Sequence, residues 1–289
     1  MTASLEVLAT GPLVTVQDLG RPGHAHLGVP RSGALDAPAH ALAQRLVGNA
    51  PGAAGLEVLL GGLEVRLDED RWAAVTGAEV PLRVGDRAVP TGRAVRLPAH
   101  TPLTLGTPQR GCRSYLAVSG GLLVDPVLGS RSADTLSGLG PDPVRTGDRL
   151  PVGVPSGEPA AVEVPAAPAG GPLRLHPGPR ADWCDGDAVD LLVRGAWSCA
   201  ADSDRVGVRL EGDPLPRARA DELASEGVVL GAVQLPPGGR PVVFLADHPT
   251  TGGYPVVAVV DPADLWSCAQ LRPGDTVQFR RFSRFSRTR

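Results

Sequence analysis

Lysine is missing from this chain of 289 residues, and all 28 of its basic side chains are arginines. A phosphate-binding P-loop, a Schiff base and a biotin carrier each require the amine of a lysine, so the chain cannot perform these tasks alone. If ATP or biotin takes part in the function, we expect a partner to supply that machinery.

Aromatic side chains are scarce, at 3% of the residues, whereas there are 37 glycines and 30 prolines. This composition is typical of many short strands joined by turns, so we expect a mainly β protein with a few helices. The length leaves room for two domains of ordinary size.

Long apolar runs are absent as well. No stretch of the sequence approaches the ~18 consecutive apolar residues of a membrane-spanning helix, and no basic segment followed by an apolar one opens the chain. The formal net charge of -3, with both signs interspersed, argues against a nucleic-acid or membrane partner. We therefore expect a cytoplasmic protein that binds neither.

Signatures of metal and nucleophile sites are also missing. The four cysteines are scattered without a CxxC pair, which predicts neither a zinc site nor a disulfide framework. His24 and His26 alternate along one segment, but no third ligand follows at a recognisable spacing, so we predict no metal. No HExxH, GxSxG or GxGxxG sequence occurs.

Composition divides the chain into two β-rich lobes. The segment 154–172 is so rich in Pro, Ala and Gly that it predicts an extended linker. We therefore predict an N-terminal lobe over 1–153, a C-terminal lobe over 173–280 and a basic tail over 281–289. Short alternating segments between turn residues predict strands in both lobes, and strands closed into a barrel would leave function at its mouth.

Helices are predicted at three places. Asp36 is placed to cap the first helix, and Gly48 is placed to stop it. A second helix is expected near 181–193. A third is expected to begin with Asp261 as its cap and Pro262 at its first position.

A predicted hairpin leads into the most polar loop of the chain. Its strands are the apolar runs 228–235 and 241–246, joined by the turn 236–239. The loop 247–255 that follows carries many hydrogen-bonding side chains among prolines and glycines. We interpret this loop as a ligand-facing rim, because donors held in place beforehand lose less freedom on binding.

Four loops concentrate polar side chains, and they span 16–36, 128–140, 203–212 and 247–255. Their glycines let backbone N–H groups approach a ligand, and arginine beside carboxylates can hold an anion while a proton moves. Structural interpretations remain open: Asp18 and Arg21 as an ion pair in a turn, and Ser203 with Asp204 as a turn cap.

Ten segments in order resemble the family of 5-oxoprolinase C subunits, also described as biotin-dependent carboxyltransferase or allophanate hydrolase subunit 2. They are TVQDLGRPG (15–23), LGVPRSGALD (27–36), LVGN (46–49), LEVLLGG (56–62), YLAVSGG (115–121), VLGSRSAD (127–134), SDRVGVRLEG (203–212), SEGVVLGAVQLPPGGRPVVFLAD (225–247), TTGGYP (250–255) and LRPGD (271–275). The resemblance covers nearly the whole chain.

The resemblance implies a cyclophilin-like β-barrel architecture and two partners, of which one is cyclophilin-like and the other is separate; they correspond to the B and A subunits of 5-oxoprolinase. Together such subunits open 5-oxoproline to glutamate at the expense of ATP, and this chain is expected to bind no cofactor alone. Two alternatives stay open. One is carboxyl transfer to urea or a related amide, with carboxybiotin from a partner; the other is a non-catalytic regulatory role that antagonises a kinase inhibitor, as one family member does.

The polar loops and the resemblance together predict the site. An arginine fork would hold the carboxylate of 5-oxoproline, fixed donors would meet the lactam oxygen, and a carboxylate would manage the ring N–H. The predicted catalytic residues are Asp18, Arg205, Glu226 and Asp247. The predicted substrate-binding residues are Gln17, Arg21, Ser32, Arg131, Asp134, Ser203, Asp204, Gln234, Thr250, Thr251 and Tyr254.

Overall fold

A computed structural model of the protein describes residues 3–160, 171–219 and 221–283. It separates into two compact units. The first consists of Met1–Pro22 and Arg31–Ala167, and the second of Gly23–Pro30 and Pro168–Arg289.

The described part of the first unit contains one α-helix, α1 Ala37–Leu46, and eleven strands. The strands are β1 Ala3–Ala9, β2 Leu13–Gln17, β3 Gly55–Leu59, β4 Glu64–Leu67, β5 Arg71–Glu79, β6 Leu82–Val84, β7 Arg87–Val89, β8 Ala94–Leu97, β9 Leu103–Leu105, β10 Arg110–Val118 and β11 Arg149–Val152. They form two antiparallel sheets, ordered β11-β1-β4-β9-β6-β7 and β2-β3-β10-β5-β8.

The core of this unit is formed by the apolar faces of both sheets. Alternation along β1 buries Leu5 and Val7, and alternation along β3 buries Leu56 and Val58 in the same cluster. Because each strand has period two, the other face of each strand points away from this cluster. On the five-stranded sheet that second face is covered by α1.

Helix α1 forms where the sequence predicts it. Asp36 accepts a hydrogen bond from the backbone N of Ala39 at 3.0 Å, Pro38 lies in the first turn, and Gly48 follows the end with φ 77°. Its Leu42 and Leu46 pack with residues of β5 and β10. The hydrogen bond between Asp36 and Ala39 therefore fixes where the preceding loop ends and α1 begins.

The beginning of the predicted linker packs on this helix. The backbone N of Ala160 donates to the carbonyl of Leu46 at 3.1 Å, and Ala160 contacts the apolar cluster beneath α1. Residues 161–170 of the predicted linker lie outside the described residues.

In the second unit the described strands are β12 Leu173–Pro177, β13 Trp197–Cys199, β14 Gly207–Glu211, β15 Glu226–Gly227, β16 Ala232–Gln234, β17 Val242–Phe244, β18 Thr251–Gly252, β19 Val256–Val260, β20 Thr276–Val277 and β21 Phe279–Arg281. Eight of them form one sheet in the order β20-β13-β14-β17-β16-β19-β12-β21, and β15 pairs with β18 separately. Only Gln278 separates β20 from β21, the two edges of the sheet, so one extended segment nearly closes it into a barrel. The prediction of a mainly β fold with barrel architecture is confirmed.

The β16–β17 hairpin is also confirmed, with Gly239 N donating to Pro236 O at 2.9 Å in its turn. The helix expected near 181–193 is divided. A 3-10 turn, Ala181–Trp183, precedes α2, Ala188–Arg194, and Gly186 with φ 117° interrupts them.

The prediction that Asp261 caps the last helix is wrong. Helix α3 runs only over Leu265–Cys268 and begins after Asp264. The carboxylate of Asp261 accepts from the backbone N of Ala263 at 3.1 Å, in the turn before α3, and also lies 3.0 Å from His176 and 3.2 Å from Arg174. Asp261 therefore stabilises the turn that precedes α3, and the helix itself starts later than predicted. Of the predicted basic tail, residues 284–289 lie outside the described residues.

We expect Gly61→Ala to destabilise the protein more than Gly92→Ala. Both glycines have left-handed φ, 74° and 71°, so each alanine costs roughly 1 kcal/mol for the backbone. At position 61 the new Cβ would lie 2.0 Å from the carbonyl oxygen of Gly106, whereas nothing lies within 4 Å at position 92. Overpacking adds about 1–3 kcal/mol at position 61. Urea unfolding of the two variants measures the difference, and equal losses would contradict the expectation.

Candidate functional site

The predicted site residues divide between the two units. The first unit contains Gln17, Asp18, Arg21, Ser32, Arg131 and Asp134. The second contains Ser203, Asp204, Arg205, Glu226, Gln234, Asp247, Thr250, Thr251 and Tyr254.

Asp18 is the centre of a hydrogen-bonded cradle in the first unit. Its buried carboxylate accepts from the hydroxyls of Ser130 and Ser132, both at 2.6 Å, and from the backbone N of Gly20 at 2.8 Å and Arg131 at 2.7 Å. The sequence analysis missed Ser130 and Ser132 as partners. Their alternation in SRS, which places both hydroxyls on one side of an extended segment, was the available signal.

The cradle keeps Asp18 ionised. Burial by itself raises the pKa of this carboxyl, but the hydrogen bonds from Ser130, Ser132 and the two backbone N–H groups outweigh it, so the pKa is lowered. A carboxylate with a lowered pKa and four donors is a weak proton acceptor. The geometry therefore favours a role for Asp18 in holding residues 130–132 in place.

Arg21 shares Ser132 with Asp18 instead of pairing with the carboxylate. Only 1% of Arg21 is exposed, and its guanidinium donates to the carbonyls of Val127 and Ser132 and to the hydroxyl of Ser32. No ion pair joins Asp18 to Arg21 within the described residues. Ser32 itself has φ 53°, an uncommon conformation for a residue other than glycine.

The remaining predicted residues of the first unit mainly bond to backbone. The amide N of Gln17 donates to the hydroxyl of Thr15 and to the carbonyl of Ala133, while its buried Oε1 has no protein partner among the described residues. Asp134 accepts from the backbone N and hydroxyl of Ser137, as a turn cap does. Arg131 donates through Nε to the carbonyl of Val124 at 2.8 Å.

A second buried network, which was not predicted from the sequence, supports the loop before α1. The carboxylate of Glu57 accepts from Tyr115 Oη at 2.9 Å and from the backbone N of Leu35 at 3.0 Å, and lies 3.4 Å from Arg113 Nε. Tyr115 Oη accepts from the backbone N of Asp36 at 2.7 Å. Burial raises the pKa of Tyr115 well above its usual value, with a further contribution from the charge of Glu57, so the phenol stays protonated.

In the second unit, Arg205 and Asp247 form a buried ion pair. Arg205 Nε lies 2.8 Å from Asp247 Oδ2 and Nη2 lies 3.0 Å from Oδ1, and the two side chains are 1% and 0% exposed. The backbone N of Asp247 also donates to the carbonyl of Arg205. The pair therefore anchors the start of the loop 247–255.

Ser203 and Asp204 stabilise the turn before β14. Asp204 Oδ1 accepts from the backbone N of Val206 at 2.8 Å and of Gly207 at 3.2 Å, and the Ser203 hydroxyl accepts from the backbone N of Arg209 at 3.0 Å. These contacts match the turn-cap interpretation of the two residues.

The loop 247–255 is held against the barrel as one strand of a two-stranded ribbon, β15–β18. In this ribbon Glu226 lies opposite Gly252 and Gly227 lies opposite Thr251. The amide N of Gln234 donates to the carbonyl of Tyr254 at 2.9 Å, which fixes the far end of the loop. Thr251 and Tyr254 are exposed.

The register of the ribbon separates the predicted residues. Successive side chains of a strand point to opposite faces, so Thr251 points away from the face shared by Glu226 and Gly252. Thr250 lies just before β18, and its carbonyl accepts from the backbone N of Val228 at 3.0 Å. Glu226 is bound by Arg180, through Nη2–Oε2 and Nε–Oε2 contacts of 2.7 and 3.0 Å, and the sequence analysis did not single out Arg180.

A cleft of about 370 Å³ in the first unit is lined by none of the predicted site residues. Its lining consists of Asp70, Arg71, Trp72, Arg96, Ser119, Pro155, Gly157, Glu158 and Pro159. Over the described residues, no three His, Cys, Asp or Glu side chains are grouped as metal ligands would be. None of the described helices is long and apolar enough to cross a membrane.

Comparison with known proteins shows one family along the chain. A family model described as the carboxyltransferase domain, subdomain A and B, matches residues 27–281. The chain is 40% identical to the C subunit of 5-oxoprolinase from Escherichia coli (strain K12), over 95% of this chain and 90% of that protein. It is 32% identical to urea amidolyase of Lachancea kluyveri, over 96% of this chain but only 17% of that protein.

Solved structures agree with these relatives. The crystal structure of TTHA0988 superposes with a TM-score of 0.87 at 40% identity, over 96% of this chain. The chain spans 55% of that molecule, about half of its length. The K. lactis urea amidolyase gives a TM-score of 0.88 at 30% identity, and there the match covers 98% of this chain and 19% of the solved one.

Arg205→Ala is expected to lower the free energy of unfolding by roughly 3–5 kcal/mol, because it leaves the charge of Asp247 buried without its fork. Replacing both partners, as Arg205→Met with Asp247→Leu, is expected to recover most of that loss. Urea unfolding of the single and double variants tests the pair. A single-variant loss below about 1 kcal/mol would contradict it.

Ser132→Ala is expected to destabilise the protein in a pH-dependent way. The lowered pKa of Asp18 means that its stabilisation is present above the unfolded carboxyl pKa, about 3.9, and is lost as pH falls through the folded pKa. The variant should therefore lose about 1.5–3 kcal/mol at pH 7 and progressively less as the pH falls through the pKa of Asp18. Ser137→Ala, which removes a similar contact at an exposed turn, is the control. A loss that stays constant from pH 7 down to the acid unfolding of the protein would argue against an ionised Asp18.

Proposed function

The chain belongs to the family of carboxyltransferase domains with subdomains A and B, and from this premise we propose that it is the C subunit of a 5-oxoprolinase. In this proposal the assembled enzyme opens the lactam of 5-oxoproline to L-glutamate and consumes ATP. The chain acts within a complex, together with a cyclophilin-like partner and a second partner that are similar to the B and A subunits of that enzyme. It binds no cofactor alone, since without lysine it has no P-loop for ATP.

The observation that carries the proposal is the extent of the match. The aligned region covers 95% of this chain and 90% of the C subunit of E. coli 5-oxoprolinase, so the two proteins correspond along nearly all of their lengths. A second bacterial relative, the C subunit of 5-oxoprolinase from Haemophilus influenzae, is 30% identical over 96% of this chain. The urea amidolyase match covers only 17% of that protein.

The chemistry of the ribbon suits a cyclic amide. Ring opening requires the lactam oxygen to gain negative charge and the ring nitrogen to leave as an amine. Gln234 offers an amide and Glu226 a carboxylate on one face of β15–β18, and Thr250 offers a hydroxyl just before β18. In the proposal these groups orient the lactam and accept its N–H, and the buried Arg205–Asp247 pair holds the loop that carries Thr250.

Carboxyl transfer is the second candidate function, and the urea amidolyase relatives favour it. Urea is also a planar amide, so a carboxylate and an amide side chain would serve either substrate. In that reaction the carboxyl group would come from carboxybiotin carried by a partner, because the chain has no lysine to which biotin could be attached.

The direct test is glutamate release from 5-oxoproline by the chain co-produced with its partner subunits. We expect release that requires both ATP and this chain. In the same complex, Gln234→Leu is expected to lower kcat/KM roughly 10- to 100-fold, since it removes the hydrogen bonds to the substrate amide and the one that holds the Tyr254 carbonyl, without changing much volume. Gln109→Leu, at an exposed position of the first unit, is the matched control.

The outcomes separate the candidate functions. Transfer of carboxyl from carboxybiotin to urea, without glutamate release, would support carboxyl transfer and reject the proposal. Full activity of the partners without this chain would point to a regulatory role. Equal effects of the Gln234 and Gln109 variants would place the substrate away from the ribbon.

A further inference from the structure

Arg180 presents an accessible guanidinium beside the β15–β18 ribbon. Its side chain is 41% exposed, whereas that of Arg205 is 1% exposed. The backbone N of Arg180 donates to the carbonyl of Val256 at 3.0 Å, which holds the residue against the start of β19. A backbone fixed to the barrel thus carries a charged group that solvent reaches.

The guanidinium of Arg180 is occupied by the carboxylate of Glu226. Nε lies 3.3 and 3.0 Å from the two carboxylate oxygens, and Nη2 lies 2.7 Å from Oε2. The Glu226 side chain is 22% exposed. Partly exposed ion pairs contribute little to stability, so an incoming carboxylate can exchange with Glu226 at small cost.

Gln234 lies on the same face of the ribbon. A Cβ on Gly252 would lie 2.8 Å from Gln234 Nε2, so the amide covers the face toward which that Cβ would point. Glu226 is directly opposite Gly252 in the antiparallel register, and opposite residues project to the same face about 5 Å apart. The guanidinium of Arg180, the carboxylate of Glu226 and the primary amide of Gln234 therefore lie close together on this face of the ribbon.

These three groups match the functional groups of 5-oxoproline in kind and in order. In 5-oxoproline the ring N–H and the carbon that bears the carboxylate are adjacent. A guanidinium that donates to the carboxylate, beside a carboxylate that accepts from the N–H, complements both groups. The lactam carbonyl follows on the other side of the nitrogen and needs a donor such as an amide N–H. An unsubstituted lactam lacks the carboxylate and would use only part of this arrangement.

We propose that Arg180 binds the substrate carboxylate in place of Glu226, and that the exchange frees Glu226 to accept the lactam N–H. This inference rests on the proposed function and deepens it, because it names the group that recognises an acidic lactam. When the ligand binds, the ion pair of Arg180 with Glu226 is replaced by an ion pair of Arg180 with the substrate carboxylate. The guanidinium therefore has a carboxylate partner both before and after binding. Arg180 is thereby the residue that selects 5-oxoproline over neutral lactams.

The experiment measures both binding and turnover in the co-produced complex. Titration calorimetry with 5-oxoproline gives the dissociation constant, and glutamate release gives kcat and KM. We expect Arg180→Ala to weaken binding and raise KM at least ~10-fold, and Arg180→Lys to do so by less because it keeps the charge without the fork. The ratio of affinities for 5-oxoproline and 2-pyrrolidinone should fall by a similar factor in Arg180→Ala.

Two further variants distinguish recognition from a structural latch. Glu226→Gln removes the competing carboxylate, so the affinity for 5-oxoproline should stay or rise, whatever happens to kcat. Arg194→Ala removes another exposed arginine of the same unit, paired with Asp190 at 3.7 Å, and should leave affinity unchanged. If Glu226→Gln and Arg180→Ala weaken binding alike, the pair is a latch for the ribbon and the inference is overturned.

The two readouts separate this inference from the proposed function. Binding of 5-oxoproline that depends on Arg180, without any glutamate release, would support the inference and reject the proposed function. Glutamate release, combined with an affinity for 5-oxoproline that does not depend on Arg180, would support the proposed function and reject the inference. Neither binding nor release by the wild-type complex would reject both.

Discussion

The buried contact between Arg205 and Asp247 is the constraint on which the candidate site of the second unit depends. Two charges tolerate burial when each satisfies the other, and here guanidinium and carboxylate meet at 2.8 and 3.0 Å with almost no exposure. The contact joins the turn before β14 to the start of the loop 247–255. A ribbon whose strands are only two residues long can then keep its register, because the chain enters it from a fixed point.

Charged groups in this protein are of two kinds, and the difference decides which of them can act on a ligand. Asp18 is enclosed by four donors, and Glu57 is bound to a phenol, a backbone N–H and an arginine. Groups so fully engaged maintain loops. Glu226 and Arg180 are bonded to each other but remain partly exposed, so their contact can exchange with solvent or substrate. The ribbon face therefore presents accessible charged groups, while the buried clusters supply rigidity.

Much of the fold was predictable from local pattern. Alternation along β1 and the cap at Asp36 are short-range signals, and the structure follows them. Asp261 shows where this reasoning fails: its carboxylate bonds to the backbone N of Ala263 and to Arg174 and His176, but α3 begins only after Asp264. Arg180 was not predicted for a related reason: it stands in an ordinary Pro-Gly turn, and its partner is 46 residues away.

The sequence by itself determined the mainly β architecture, the strand-rich character of each half and the family resemblance, because hydrophobic periodicity and turn residues act over a few neighbouring positions. It also identified loops rich in polar groups. Only the tertiary structure decided which of those groups are enclosed and which are accessible, since burial depends on strands far apart in the chain. Arg205 and Arg180 look alike in sequence; packing encloses the first with Asp247 and leaves the second open beside Glu226.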